Sequence, residues 1–560
     1  MNAQEMFEMP TPASTLPCRA MSCAALALAL CAGAAHAQWS TDPAVNLTLS
    51  DRPGEQNQAK VRPTPDGGCW VSWYDNADGG YDVFVQKLDA AGNPQLALNG
   101  VLVRDLGFSS TQDYDLKVDS QGNAVLAFRD DRTVPGTTQI TAQKVSPLGE
   151  LLWGPTGVTA STGTGADRNN PKCAVLPGDI VVVGWGGGSP SAISLRAIDA
   201  DGTPRGAVPT VFPDLAATVR PIQMSDMQAA DDGVIVLGVR CSGSNCVTSN
   251  KHLYAQKYGV ADDTITPLWD RDPNNAIPGE HVIVFDGTSI QTGTFPSFIP
   301  DGAGGAAFAW YETGGSRRAY VQRLSAEGAE HFPHNGTPVL ITSNLSISAG
   351  FDFDTQSESF FVAVKTSNAT QTQWDVRASR VNADGSRPWG DGGVVLSPLQ
   401  AVQSSFERGV RDDAGGMVAV WIENSGNPSR IRSARVAADG STPWGADPID
   451  ACTVSSTKAR LDATLGALGN TIAVWGDARA DANNIVAQSI LPDGSLGPPG
   501  SGPSCPADFD GSGTVDPDDL ADYVACYFSS PPCDRADFDG SGTADPDDLS
   551  DFIAGFFLGC

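Results

Sequence analysis

Two stretches near the C-terminus place side-chain oxygens at fixed spacing. Residues 508–520 read DFDGSGTVDPDDL and residues 537–549 read DFDGSGTADPDDL, an offset of 29 residues. Carboxylates repeated along a short loop, with a glycine where the chain must turn, are what a hard divalent cation requires. Read as a twelve-residue calcium loop, the first copy offers Asp508, Asp510 and Ser512 at positions 1, 3 and 5. It turns at Gly513, presents the backbone carbonyl of Thr514, and closes with Asp516 and Asp519 at positions 9 and 12. The second copy repeats this as Asp537, Asp539, Ser541, Gly542, Thr543, Asp545 and Asp548. Two calcium ions are therefore expected. Each loop runs into a short apolar stretch, Leu520–Phe528 or Leu549–Leu558, expected to be helical. A disordered acidic tail does not carry paired glycines and apolar stretches at matched spacing.

The last ligand of each loop is Asp, where the general EF-hand loop ends in a bidentate Glu. With the duplication, that departure resembles a dockerin type I module, whose pattern D-x-N-x-D-G-x-x-N/D-x-x-D-L occurs twice, each copy followed by one helix. The resemblance covers Cys505–Cys560. It implies protein–protein docking, since dockerins attach secreted enzymes to cohesin domains through loop positions 10 and 11. Those positions hold Pro517, Asp518, Pro546 and Asp547, in place of the small hydroxyl residues common in cellulosomal dockerins. Ser512 and Ser541 replace the family's usual Asp or Asn, which should weaken each site toward the ~10⁻⁴–10⁻³ M of extracellular modules. The implied partner is a cohesin-like or other extracellular protein. The alternative is a free-standing calcium-stapled module.

Composition frames the rest. The chain has 560 residues and a formal net charge of −30, which argues against nucleic acid as a partner. Arg19 precedes the apolar run Cys23–Ala35, and Ala35-His36-Ala37 forms a cleavage site. This reads as a signal peptide over residues 1–37, implying export. The run is too short for a stable membrane anchor, and no other stretch reads as a span. Nine cysteines follow it. Cys526–Cys533 is expected to bridge the interhelix turn, Cys505–Cys560 to tie the module's ends, and Cys241–Cys246 to staple a loop; Cys69, Cys173 and Cys452 read as small buried residues.

The positioning elements come from repeats. CWVSW (69–73), AVLAF (124–128), VVVGW (181–185), VIVLGV (234–239), AAFAW (306–310), FFVAV (360–364), MVAVW (417–421) and TIAVW (471–475) end 55, 57, 54, 71, 54, 57 and 54 residues apart. Each follows a glycine-bearing turn, and a second alternating strand comes about ten residues later, as in VFVQKLD or AYVQRLS. Then come a turn such as DADG (199–202), a Trp-Gly in several copies, and a fourth short strand. Four strands per unit describe a β-propeller blade. The continuous apolar segments read as the innermost strands, their terminal Trp filling the wedge between blades.

The eighth copy lacks a fourth strand, and PAVNLTLSD (43–51) matches one. The expected fold is all-β, an eight-bladed propeller over residues 38–496 closed by its N-terminal strand, with seven blades as the alternative if the fourth copy is not a blade. A string of β-sandwiches would need linkers that the repeats lack. GPPGSGPS (497–504) is a Pro/Gly/Ser linker to the small helical module at 505–560.

Chemistry in the body is not written in motifs. The D-G-x-x-x-W turns resemble the Asp-box of sialidases and related propellers, where that turn is structural. Arg129, Arg132, Arg240, Arg317, Arg318 and Arg479 follow the apolar strands in a repeating pattern that reads as structural Asp–Arg pairing. His252, His281, His331 and His334 form no HExxH. No convincing G-x-S-x-G elbow lies outside the calcium loops, and no P-loop or dinucleotide fingerprint is present. The main reading is a secreted, non-catalytic propeller that binds a glycan or protein and carries a docking module. The alternative is a secreted carbohydrate-active enzyme, a glycoside hydrolase or lyase, with the same tail.

Overall fold

The computed structural model describes residues 38–163, 168–188, 191–211, 220–231, 233–269, 281–314, 317–424 and 428–499. In the C-terminal part it describes Ala507, Phe509, Val515, 517–529, Cys533, 536–538 and 543–558. The expected signal peptide and residues 500–504 of the expected linker lie outside the described residues.

The body is an eight-bladed β-propeller, one antiparallel sheet per repeat. Blade 1 is built from Gln56–Pro63, Cys69–Asp75, Asp82–Leu88 and Val101–Arg104 in sequential order. Blade 4 is a true blade. Its third strand, Lys251–Ala261, is long enough to pair with both Thr264–Pro267 and Val282–Phe285, and this hairpin absorbs most of the extra length of that repeat. Blade 8 takes Lys458–Leu465, Thr471–Asp477 and Asn484–Ile490 from the C-terminal side and Leu47–Ser50 from the N-terminal side, with Leu47 opposite Ala487. The expected closing strand is thus in place, and it covers the edge that blade 8 would otherwise expose.

The apolar segments are the second strands. Every residue of Cys69–Asp75 and of Thr471–Asp477 is buried. A strand packed on both faces by neighbouring blades has no solvent side, so it reads as an unbroken apolar run. Eight hydrophobic clusters fill the eight interfaces between blades. Trp73, Trp185, Trp310, Trp421 and Trp475 sit in these clusters, as the wedge role requires.

The remaining sequence landmarks serve the same joints. The indole N–H groups of Trp39, Trp153, Trp269, Trp389 and Trp444 donate to carbonyls of Ala90, Ala200, Ala326, Ala438 and Pro492 in the next blade, at 2.8–3.1 Å. Each ring lies on the glycine of that blade's D-x-x-G-like turn. Gly92, Gly202, Gly328, Gly440 and Gly494 all have φ between 83° and 92°, and a Cβ on any of them would come within about 3 Å of the indole. Only glycine satisfies both demands.

The Asp-box-like turns are structural as well. Asp301 Oδ1 accepts from the Ala303 and Gly305 amides while Oδ2 holds Arg323, and Asp412 repeats this with Ala414, Gly416 and Arg435. Cys241–Cys246 and Cys526–Cys533 are disulfides, and Cys69, Cys173 and Cys452 are buried free thiols. Cys505 and Cys560 lie outside the described residues.

The C-terminal part has two helices, α1 (Pro517–Tyr527) and α2 (Pro546–Leu558). Its core is duplicated like its sequence. Tyr523 stacks on Phe552 at 3.9 Å between ring centroids, and these residues are 29 apart. Phe509 meets Tyr523 edge-on at 5.3 Å, and its counterpart Phe538 meets Phe552 edge-on at 5.4 Å. Among the described residues no helix is long and apolar enough to cross a membrane.

Candidate functional site

A cavity of about 780 Å³ runs down the propeller axis and is lined from all eight blades. Its wall corrects one expectation from the sequence. The innermost strands are not the apolar segments but the first strands before them, such as Gln56–Pro63 and Lys458–Leu465. Each pairs with its second strand along one edge and turns the other edge to the channel, which is lined largely by polar side chains.

These first strands are bulged. The ladder slips between Asn57 and Lys60, Asn169 and Lys172, Met224 and Asp226, Ser405 and Arg408, and Ala459 and Asp462. Gln58, Asn170, Phe406 and Arg460 sit inside four of these bulges at φ of 57°, 47°, 55° and 55°. Left-handed backbone at four non-glycine residues of equivalent register is strain held in place by the surrounding sheets, and it re-aims the residues that follow.

The residue two positions after each such site faces the channel. Lys60, Asp115, Lys172, Asp226, Gly350, Arg408 and Asp462 lie opposite Ser72, Ala127, Gly184, Leu237, Ala363, Val420 and Val474, the fourth residues of the apolar segments. Ser297, just before the paired Phe298, completes the ring on blade 5. From blade 1 to blade 8 the ring therefore alternates cation and anion for four blades, is uncharged at Ser297 and Gly350, and resumes with Arg408 and Asp462.

The charges are largely interlocked. Lys172 lies 2.7 Å and Lys60 3.9 Å from Asp113, Lys117 lies 3.6 Å from Asp115, and Arg62 and Arg408 share Asp462 at 3.2 and 3.6 Å. The even-numbered blades also stitch to the next blade. Asp115 accepts from the Cys173 amide, Asp226 from Phe298, Asp352 from Arg411 and Asp462 from Val61, all at 3.1–3.2 Å. Burial pushes the Asp113, Asp115 and Asp462 carboxyls up, but the adjacent lysines and arginines outweigh it and hold all three below the usual carboxylate value. Asp352 has no such neighbour in strength, and burial leaves it above that value. Burial also lowers Lys60, whereas Asp113 and Asp115 hold Lys172 above an ordinary lysine despite burial.

Blades 5 to 7 add an aromatic sector that overlaps the charged one at blades 6 and 7. Phe295 and Tyr311 come from blade 5, Phe351 from blade 6 and Phe406 from blade 7. A cavity with a charged arc and an aromatic arc side by side can hold a ligand with both a polar edge and an apolar face.

Of the arginines singled out in the sequence, none lines this cavity. Arg479 pairs with Asp477 at 2.8 Å and Arg132 with Asp105 at 3.0 Å, as blade-turn contacts. His334 is bracketed by Glu330 and Asp286, each at 3.0 Å, away from the channel. The cavity residues Lys60, Lys172, Arg408, Arg460, Asp226 and Asp462 were not legible as a site, because lysine, aspartate, serine, glycine and arginine change from blade to blade at this register and leave no repeated motif.

Of the twelve expected calcium ligands, Asp508, Asp510, Ser512, Thr514, Asp516, Asp539 and Ser541 lie outside the described residues. Asp519 and Asp548 are fully buried at the first turns of α1 and α2. Asp548 accepts from the Phe538 and Asp545 amides, each at 2.7 Å, and Asp545 accepts from the Asp547 amide at 2.9 Å, a reciprocal helix cap. Asp537 and Thr543 complete the described part of the second loop. An all-oxygen donor set of this kind fits a hard cation. Among the described residues, no group of three or more metal-binding side chains converges.

No family model and no curated protein matches the chain. Among solved structures it is similar to a mutant puromycin hydrolase complexed with PGG (13% identity, 79% of this chain and 61% of that one, TM-score 0.40). It is also similar to a Penicillium chrysogenum alpha-L-arabinanase complexed with arabinobiose (12% identity, 70% and 98%, TM-score 0.35). A third is the polysaccharide lyase Uly1 (11% identity, 70% and 91%, TM-score 0.35). Likenesses this distant carry no argument about what the channel binds.

Proposed function

We propose that this is an exported, calcium-binding protein whose propeller binds a glycan in its central channel without transforming it. The observation that supports this reading is the two-sided lining of the 780 Å³ cavity, charged on one arc and aromatic on the other. Saccharides present hydroxyls at their edge and C–H groups on their face, and such a wall complements both. The lining carboxylates are committed to ion pairs or backbone amides, which suits fixed recognition more than proton transfer. The C-terminal module holds two calcium ions through Asp508, Asp510, Ser512, Thr514, Asp516 and Asp519 and their counterparts Asp537, Asp539, Ser541, Thr543, Asp545 and Asp548, and docks a cohesin-like or other extracellular protein. Calorimetry of the full chain against a panel of plant and algal oligosaccharides tests the glycan reading. Binding that Phe351→Ala weakens is expected, and absence of binding across the panel overturns it.

One observation favours the enzymatic alternative. Asp352 is pushed above the ordinary carboxyl value while Asp113, Asp115 and Asp462 are held below it. Carboxyls driven apart in this way are what a general acid and an ionised partner need. Release of reducing sugar that Asp352→Asn abolishes would establish a glycoside hydrolase.

A further inference from the structure

The charges of the channel are unevenly satisfied. Its lining carries six cations, Lys60, Arg62, Lys117, Lys172, Arg408 and Arg460, against five carboxylates. Among the described residues, two of those carboxylates pair with no cation in a salt bridge and accept backbone amides instead: Asp226 from Met227 and Phe298, and Asp352 from Phe353 and Arg411. Six cations therefore face five carboxylates, a surplus of one positive charge. The excess is concentrated where Asp462 is shared between Arg62 and Arg408, each of which keeps donors to spare.

Arg460 is the extreme case. It is exposed, lines the cavity, and has no carboxylate paired with it among the described residues. Its backbone is held at a φ of 55°, two residues before Asp462. On the neighbouring blade Phe406 occupies the same register at the same φ, two residues before Arg408. The two bulges therefore set an aromatic ring and a guanidinium on adjacent blades of one channel wall, in a chain whose net charge is −30. A strongly acidic molecule that keeps unneutralised cations inside its axial cavity is selecting for anions there.

We propose that blades 7, 8 and 1 seat the anionic group of an acidic saccharide, a carboxylate or a sulfate ester, on Arg460 and Arg408, with Phe406 and Phe351 taking the sugar ring. This rests on the glycan reading and narrows it to a charged class. Arg460 and Arg408 bind the anion directly. Lys60 and Arg62 hold Asp113 and Asp462 in place behind them.

The test is calorimetry of the full chain, at fixed free calcium, with short uronate oligosaccharides, their neutral methyl esters and sulfated galactan oligosaccharides. The acids are expected to bind at least tenfold tighter than the esters at low salt, with the advantage shrinking as salt rises. Arg460→Gln should erase that advantage, whereas Phe406→Ala should weaken all ligands together. Arg460 is exposed, so its variant is expected to fold; Arg408→Gln, judged by an unchanged melting temperature, is the second variant. Comparison of the uronate and sulfate arms identifies which anion the seat prefers. Equal affinity for acid and ester, or a preference that survives Arg460→Gln, overturns the inference. If neutral saccharides bind and Phe406→Ala abolishes it, the glycan reading stands while this one falls. If no saccharide binds, both fall.

Discussion

The propeller and the C-terminal module are both built by repetition, and they use it in opposite ways. In the propeller, what repeats is the joint: an apolar second strand, a Trp on the next blade's glycine, an Asp-capped turn with its cation. What varies is the channel ring, where Lys60, Asp226, Gly350 and Arg408 occupy one register. In the module, the variation is slight, and the candidate ligands themselves repeat, Asp519 with Asp548 over the same 29 residues that relate Tyr523 to Phe552. An axially symmetric body must break its symmetry to recognise an asymmetric ligand. A site for a spherical ion has no such need.

Both regions are most vulnerable at their packed aromatic joints. Trp475→Ala empties a fully buried wedge and is expected to cost about 3–5 kcal/mol, read from denaturant unfolding of the propeller. Phe552→Ala should unstack Tyr523 and melt the module at comparable cost, with the propeller's transition unmoved. A common shift of both transitions would show that the two regions do not fold independently.

Calcium should act on one region only. At a hundredfold excess over Kd each occupied site adds about 2.7 kcal/mol, so chelation should remove helical signal and leave the β signal intact. Gly440→Ala, at φ +88° beneath Trp389, should cost roughly 1–3 kcal/mol, seen as a lower melting temperature.

Acid should sharpen the contrast inside the propeller. Asp113, Asp115 and Asp462 titrate lower in the folded chain than in the unfolded one. Their contribution is complete above the unfolded value near about 4 and is lost as pH falls through the depressed folded values. Melting temperature should therefore drop on acidification below about pH 4, and less steeply in Asp462→Asn than in the parent chain. Smallest is Arg460→Gln, expected within about 0.5 kcal/mol of the parent in stability.

What was legible in the sequence follows the same division. The second strands announced themselves because both faces are buried. The closing strand at Leu47–Ser50, the eight-blade count and the Cys241–Cys246 and Cys526–Cys533 bridges were readable for local reasons: pattern, missing partner and short spacing. The channel was not. Its strands carry bulges at Gln58, Asn170, Phe406 and Arg460 that interrupt the two-residue alternation, and its ring positions switch among lysine, aspartate, serine, glycine and arginine from blade to blade. The interblade Trp–Gly contacts lay in between. Their residues stood out as landmarks, yet only the fold showed that each Trp covers a glycine about fifty residues further on.

The pairing of Leu47 with Ala487 also sets a schedule. The strand that finishes the ring is among the first parts of the propeller to be synthesised, and its partner follows 440 residues later. At about 5–20 residues per second that is a wait of roughly 20–90 s. Through this interval Leu47 and Leu49, both buried in the finished ring, have no blade to enter. Closure of the ring must therefore wait for the last hairpin, and it joins segments separated by nearly the whole length of the propeller.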